Sequence, residues 1–189
     1  MMRIITGTAR GVRLLTLPGE ETTRPTTERV KESVFSAIQF ELEGRRVLDL
    51  FAGSGQMGLE ALSRGAVHAT FVDSSKEACE IVKQNAKNAR LMPSSQILNT
   101  SAETFCERCK DTYDVVFLDP PYKANLLPSL LRHMPRLMRV GGVTVCETDD
   151  KTELPSAVDG ENGLALTLQK DKRYGKTRVW FYRLTETAT

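Results

Sequence analysis

An apolar run from Val47 to Phe51 passes without a break into Ala52-Gly53-Ser54-Gly55-Gln56-Met57-Gly58-Leu59-Glu60-Ala61-Leu62. The run reads as a short buried strand, and Leu59, Ala61 and Leu62 open a helical period just after the glycines. A strand, a glycine-rich turn and a helix in such close succession constrain the chain to an α/β design. Gly53 and Gly55 permit positive φ and let the backbone approach a ligand closely, while the helix start offers unpaired N–H groups. The stretch predicts a nucleotide-like ligand at the turn.

Gly53, Gly55 and Gly58 match G-x-G-x-x-G, so their spacing alone also suits a nicotinamide or flavin enzyme. Asp49 separates the two readings. A carboxylate at the end of the strand, four residues before the first glycine, would repel a pyrophosphate. It suits a ligand carrying an ammonium beside a sulfonium, which describes S-adenosylmethionine better than NAD. As bare structure, the glycines would only form a tight strand-to-helix turn.

At 189 residues and a formal net charge of +2, the chain has material for one full core plus a small appendage and is no global polycation. Met1 to Gly7 lacks the apolar core of a signal peptide. No run reaches the roughly 18 apolar residues needed to span a bilayer, so a soluble, cytoplasmic protein is expected. Of the four cysteines, Cys106 and Cys109 have the spacing of a zinc half-site. The two histidines, His68 and His133, do not complete a second knuckle, so reduced structural cysteines and no metal are expected.

Two short extended runs, Arg3 to Thr8 and Val12 to Leu17, read as a hairpin around Ala9-Arg10-Gly11. After a loop from Pro18, Arg24-Pro25-Thr26-Thr27-Glu28 reads as a helix start with Thr26 as N-cap. Val30, Val34, Phe35, Ile38 and Leu42 then form one apolar stripe, closed by Gly44. Residues 1–44 are thus read as an appendage and 45–189 as the main domain. Arg10, Arg13, Arg24, Thr26 and Arg29 make the appendage a candidate phosphate-contacting patch, although any single arginine there suits an ordinary solvated surface.

Beyond the glycine turn the helix runs to about Arg64. Val67 to Val72 reads as a second strand ending at Asp73, placed 20 residues past Gly53 to accept both hydroxyls of a ribose. Asp73 with Ser74 and Ser75 would also cap the next helix, Lys76 to Ala89. Ile97 and Leu98 mark a third strand, followed by Thr100-Ser101-Ala102-Glu103 as the loop beside an adenine. Leu126 to Met138 reads as one helix, and Val143 to Glu147 as a fifth strand. Thr148 to Gly163, with five acids and one lysine, reads as a surface loop. Leu164 to Gln169 and Thr177 to Leu184 then flank a basic loop as a closing hairpin. Lys170, Lys172, Arg173, Lys176, Arg178 and Arg183 form a second cluster, with Arg173 and Lys176 at a tip suited to gripping phosphates.

The fourth strand, Tyr113 to Leu118, runs straight into Asp119-Pro120-Pro121-Tyr122. Twin prolines fix a stiff turn, which needs neither Asp119 nor Tyr122 for its own sake. Methylation of a nucleobase amine needs both. That nitrogen's lone pair is delocalised into the ring, so the amine must be held while it pyramidalises toward the methyl donor. The Asp119 carboxylate and Pro120 carbonyl can accept its two N–H bonds, and the Tyr122 ring can stack on the base. The reaction is an in-line displacement accelerated mainly by positioning, with no metal required.

With these motifs the chain resembles a class I S-adenosylmethionine-dependent methyltransferase, and more narrowly the RsmD family of 16S ribosomal RNA guanine-N2 methyltransferases. The resemblance also covers Arg3-Ile4-Ile5-Thr6-Gly7 with Arg10-Gly11, and Arg24-Pro25-Thr26 with Glu28 to Glu32. It continues through Gly58 to Ala66 and Tyr174-Gly175-Lys176-Thr177. It implies a Rossmann-like, seven-stranded, mostly parallel sheet with one antiparallel strand, and a guanine in 16S rRNA of an assembling 30S subunit as acceptor. By position it implies that Asp49, Gly53 and Gly55 hold the methionyl part, Asp73 the ribose and Ala102 the adenine, with Phe51, Ala52, Ser74, Ser101 and Glu103 as further cofactor-binding residues. Asp119, Pro120, Pro121 and Tyr122 become the acceptor site. The chain departs at Ile5-Thr6-Gly7, where a Gly-Gly pair is usual, and its acidic loop matches no motif. The competing readings are a DNA adenine-N6 methyltransferase, for which no target-recognition domain is evident, a protein glutamine methylase, an NAD-dependent oxidoreductase and a non-catalytic RNA-binding module.

Overall fold

Five strands pair in parallel: β1 (Arg46–Asp49), β2 (His68–Asp73), β3 (Ser95–Asn99), β4 (Tyr113–Leu118) and β5 (Met138–Asp149). Three more complete the sheet: β6 (Ala157–Asp159), β7 (Leu164–Tyr174) and β8 (Thr177–Glu186), giving the order β3-β2-β1-β4-β5-β8-β7-β6. β8 runs antiparallel between β5 and β7, and β6 pairs antiparallel with the outer edge of β7. The structure is a computed structural model and describes residues 2–17, 25–120 and 126–187.

The sheet is buried on both faces, as expected when crossover helices cover parallel strands. Val115 and Phe117 point to one face, which is covered by α1 (Pro25–Ala37), α2 (Gln56–Ser63) and α3 (Lys76–Asn88). Val116 and Leu118 point to the other, beneath α4 (Ala102–Arg108), α5 (Leu127–Leu131) and α6 (Met134–Leu137). The predicted stripe Val30, Val34, Phe35, Ile38 and Leu42 is buried throughout. It shares one cluster with the sheet and with Ile4, Ala9 and Leu14 of the N-terminal hairpin, whose two expected extended runs reduce to a single antiparallel bridge between Arg3 and Arg13 closing a turn over residues 6–11.

Several local expectations shift. The sheet has eight strands, because three residues of the acidic segment, expected as loop, pair with β7. α1 begins at Pro25, so Thr26 lies in its first turn and does not precede it. Proline at a helix start loses no hydrogen bond. α1 ends at Ala37, and a 3₁₀ turn at Gln39–Glu41 carries the chain to Leu42 before Gly44. The single helix expected from Leu126 to Met138 is two short ones, because Pro135 has no N–H for the Leu131 carbonyl. α4 was not anticipated. Its start is capped by the Ser101 hydroxyl, which accepts the Thr104 N–H at 3.1 Å. The basic loop from Lys170 is mostly strand, leaving Gly175-Lys176 as the turn.

Candidate active site

β1 and β4 are neighbours, with Asp49 opposite Phe117, so the glycine turn leaving β1 and the Asp119-Pro120 turn leaving β4 stand side by side. A cleft of about 670 Å³ opens between them. This position, beyond the carboxyl ends of a parallel sheet at the reversal of strand order, is where ligands bind in such folds.

Asp49, Phe51, Ala52, Gly53, Asp73, Ser74, Ser101, Ala102 and Glu103 all line the cleft, together with Asp119 and Pro120. Gly55 does not. It adopts φ +78° as the residue preceding α2, and a Cβ placed there would meet Val82 at 3.1 Å on the core side. Its role is to turn the chain, which any L side chain would strain. Gly58 allows close packing of helix on sheet, since a Cβ would lie 2.3 Å from the Phe71 ring. Pro121, Tyr122 and Arg24 lie outside the described residues, as does the side chain of Thr26.

The Asp73 carboxylate ties the end of β2 to the glycine turn, accepting the Gly53 N–H at 2.9 Å and the Ser75 N–H at 2.8 Å. Capping of α3 falls to Ser75, whose hydroxyl accepts the Ala78 N–H. Asn85 fastens the same turn from the other side: its amide donates to the Ser54 and Leu15 carbonyls and its oxygen accepts the Leu15 N–H. The N-terminal segment consequently walls the cleft through Met2 and Leu17. Sequence reasoning missed these two, Asn85, and Glu147 near the end of β5.

Asp49 is 3% exposed, and its Oδ2 accepts the Gly58 N–H at 3.0 Å. Burial pushes its carboxyl up to about 7, helped by the nearby Asp73 charge and opposed by the Gly58 hydrogen bond. With the folded value above the ordinary 3.8, the folded state holds the extra proton. Asp49 therefore favours folding at low pH, and that contribution is lost as pH rises from 3.8 through about 7. A bound cation reverses the balance by favouring the carboxylate. Affinity for a cationic ligand should thus be full above pH 7 and fall by up to tenfold per pH unit below it. Calorimetric titration from pH 5.5 to 8 checks this, and a flat profile would show that Asp49 does not face the charge.

The basic residues divide into two groups. Arg178 is buried, donates to Asp171 and Glu153 at 2.7 Å each and covers the Trp180 ring. Arg183 donates to the Gly141 carbonyl and Glu41. Both hold the fold together. Arg10, Arg13, Arg29, Arg173 and Lys176 are exposed. A hydrogen bond between Ser33 and the Tyr174 hydroxyl sets the β7–β8 turn against α1. Arg29, one turn before Ser33, shares its face. Cys106 is buried, with its thiol pushed up to about 12 by burial. Among the described residues, no three His, Cys, Asp or Glu side chains gather closely enough to hold a metal, and no helix is long and apolar enough to cross a membrane.

A profile of the family described as "Conserved hypothetical protein 95" matches residues 2–183. The "Ribosomal RNA small subunit methyltransferase D" of Escherichia coli K12 is 36% identical over 126 residues, which span 67% of this chain and 63% of that protein. The chain belongs to this family, the RsmD family. Another relative, the "Putative rRNA methyltransferase YlbH" of Bacillus subtilis, is 39% identical over 187 residues, covering 96% of this chain and 98% of that one. The solved structure "Putative methyltransferase yhhF from Escherichia coli" superposes with a TM-score of 0.82 at 27% identity, covering 100% of this chain and 99% of that one. The RsmD-family match therefore includes the N-terminal hairpin and α1 as well as the cleft.

Proposed function

We propose that this protein transfers a methyl group from S-adenosylmethionine to the exocyclic N2 of a guanine in 16S rRNA, within an assembling 30S subunit. The observation that carries this reading is the pairing of β1 with β4, which brings the glycine turn and Asp119-Pro120 onto one cleft. The cleft fits the cofactor. Its volume lies in the range of small-molecule sites, and a buried carboxylate with a raised pKa awaits a cationic group. Asp49 and Gly53 would hold the methionyl part, Asp73 and Ser74 the ribose, and Ser101, Ala102 and Glu103 the adenine.

When bound, S-adenosylmethionine supplies a methyl carbon activated by its sulfonium, whose sulfur leaves as a neutral thioether. The protein's part is positioning. Asp119 and the Pro120 carbonyl accept the two N–H bonds of the guanine amine and turn its lone pair out of conjugation. As the new C–N bond forms, an amine proton passes to the Asp119 carboxylate. The base must leave its stack to reach this point, which favours a loop nucleotide.

Labelled methyl transfer to 30S particles, naked 16S rRNA and DNA in parallel, followed by nucleoside identification, tests the reading. N2-methylguanosine in 30S rRNA is expected. N6-methyladenine in DNA would replace it with the DNA reading, and cofactor binding without transfer would favour a binding module. Arg10, Arg13, Arg29, Arg173 and Lys176 form the proposed rRNA surface, extended by Arg24 and Thr26. Arg29→Glu with Lys176→Glu should weaken rRNA binding about tenfold or more. It should also flatten the slope of log affinity against log salt by about two. Filter binding over a salt series reads this, and an unchanged slope would remove both residues from the interface.

A further inference from the structure

Beside the cofactor cleft lies a second, apolar recess. Phe117, Val145 and Val179, from the adjacent strands β4, β5 and β8, form its floor, and Val30 and Val34 of α1 form a wall. The two spaces share Gln56, Met57, Asp119 and Glu147, so the recess opens onto the cleft at the point where Asp119 stands. Phe117 pairs with Val145 and Leu118 with Cys146, so Asp119, one step beyond the last row shared by β4 and β5, stands beside Glu147, which stays within β5 and pairs with Val179 of β8. Lys31, the cation among the described residues that line the recess, is 4% exposed, with its ammonium 3.1 Å from Glu60 and 3.0 Å from the Arg3 carbonyl. Among the described residues, the apolar slot is edged at its mouth by the neighbouring carboxylates of Asp119 and Glu147.

We infer that Glu147 selects guanine as the acceptor base by accepting its N1–H, while Asp119 holds the N2 amine. The inference rests on the acceptor reading given above and names the residue that makes it base-specific. An extruded base is read through its Watson–Crick edge and packed between apolar side chains. On that edge guanine offers two adjacent donors, N1–H and N2–H, which two adjacent carboxylates match. Adenine and 2-aminopurine present a lone pair at N1. An ionised carboxylate accepts and cannot donate, so against that lone pair Glu147 makes no hydrogen bond and adds repulsion. An enzyme lacking this carboxylate would still grip an exocyclic amine through Asp119 and Pro120 but would lose its reason to prefer guanine.

The test uses 30S particles reconstituted with 16S rRNA carrying either guanine or 2-aminopurine at the methylated position. 2-Aminopurine keeps the N2 amine and replaces N1–H with a lone pair. Wild-type protein should methylate guanine faster than 2-aminopurine on the order of 10²-fold, the value of one charge-assisted hydrogen bond. Glu147→Gln preserves size and adds an N–H that can donate to N1, so the preference should fall to within about tenfold, largely through gained activity on 2-aminopurine. Cofactor affinity, read by thermal shift with S-adenosylhomocysteine, should match wild type. If Glu147→Gln slows both substrates equally and leaves the preference intact, Glu147 does not read N1. If wild-type protein makes no N2-methylguanosine in the guanine particles, the acceptor reading itself fails.

Discussion

Asp119→Ala should lower methyl transfer by about 10²–10³-fold while leaving cofactor affinity within about twofold of wild type. In the proposed mechanism the lost group is an acceptor that acts on the amine as it pyramidalises, and removing one such preorganised contact typically costs this much in rate. Asp119 follows the end of β4, on the other side of β1 from the Asp73 carboxylate that braces the glycine turn, so truncating it leaves that brace intact. Single-turnover transfer at saturating cofactor, paired with calorimetric binding of S-adenosylhomocysteine, separates the two effects. Cofactor binding that falls as steeply as the rate would place Asp119 in the cofactor site and end its acceptor role.

Glu60→Ala should destabilise the fold by about 3–5 kcal/mol, or on the order of 10 °C in Tm. Glu60 is fully buried on α2, and its carboxylate accepts the Ile5 N–H at 2.7 Å and the Thr6 N–H at 3.0 Å. It also pairs with Lys31 at 3.1 Å and Arg64 at 2.8 Å. Burial already pulls the Lys31 ammonium below its ordinary pKa, with Glu60 as the main opposing influence. Removing the carboxylate therefore strands one buried cation and two backbone donors, which costs far more than the pair contributed. Adding Lys31→Met to Glu60→Ala should restore part of the loss, because the uncompensated charge goes with it. Urea unfolding of the single and double variants reads both numbers. A loss below 1 kcal/mol for Glu60→Ala would mean that apolar packing alone docks the hairpin.

Glu60 also shows why the role of the N-terminal segment could not be read from its composition. In the sequence it is one acid among the small residues after the glycines. In the structure it is the socket that receives the hairpin and sets Met2 and Leu17 at the edge of the cleft. Arg178 and Arg183 show the converse. Both belong to a basic cluster by count, and both are spent on internal acids and a carbonyl. Composition records charge, and partners 25 or 142 residues away decide whether that charge reaches solvent. Gly55 was assigned to the ligand by its motif, yet it faces Val82. A glycine pattern reports which backbone angles are needed and leaves open which side of the turn the ligand occupies.

What the sequence determined by itself is everything carried by short-range physics. Apolar runs marked strands β1 to β4, the four-residue stripe marked the buried face of α1, and glycines and prolines marked the turns. Asp49, Asp73 and Asp119 stood out because acids at strand ends are exposed to whatever the sheet binds. Only the tertiary structure decided which strand ends meet. The insertion of β8 between β5 and β7, the place of β4 beside β1, and the position of Glu147 next to Asp119 all depend on pairings between distant segments. The hydrogen bonds of a strand edge are the same whichever neighbour supplies them, so local sequence leaves the partner open. The choice falls to the packing of whole faces, where Phe117, Val145 and Val179 must close against α1.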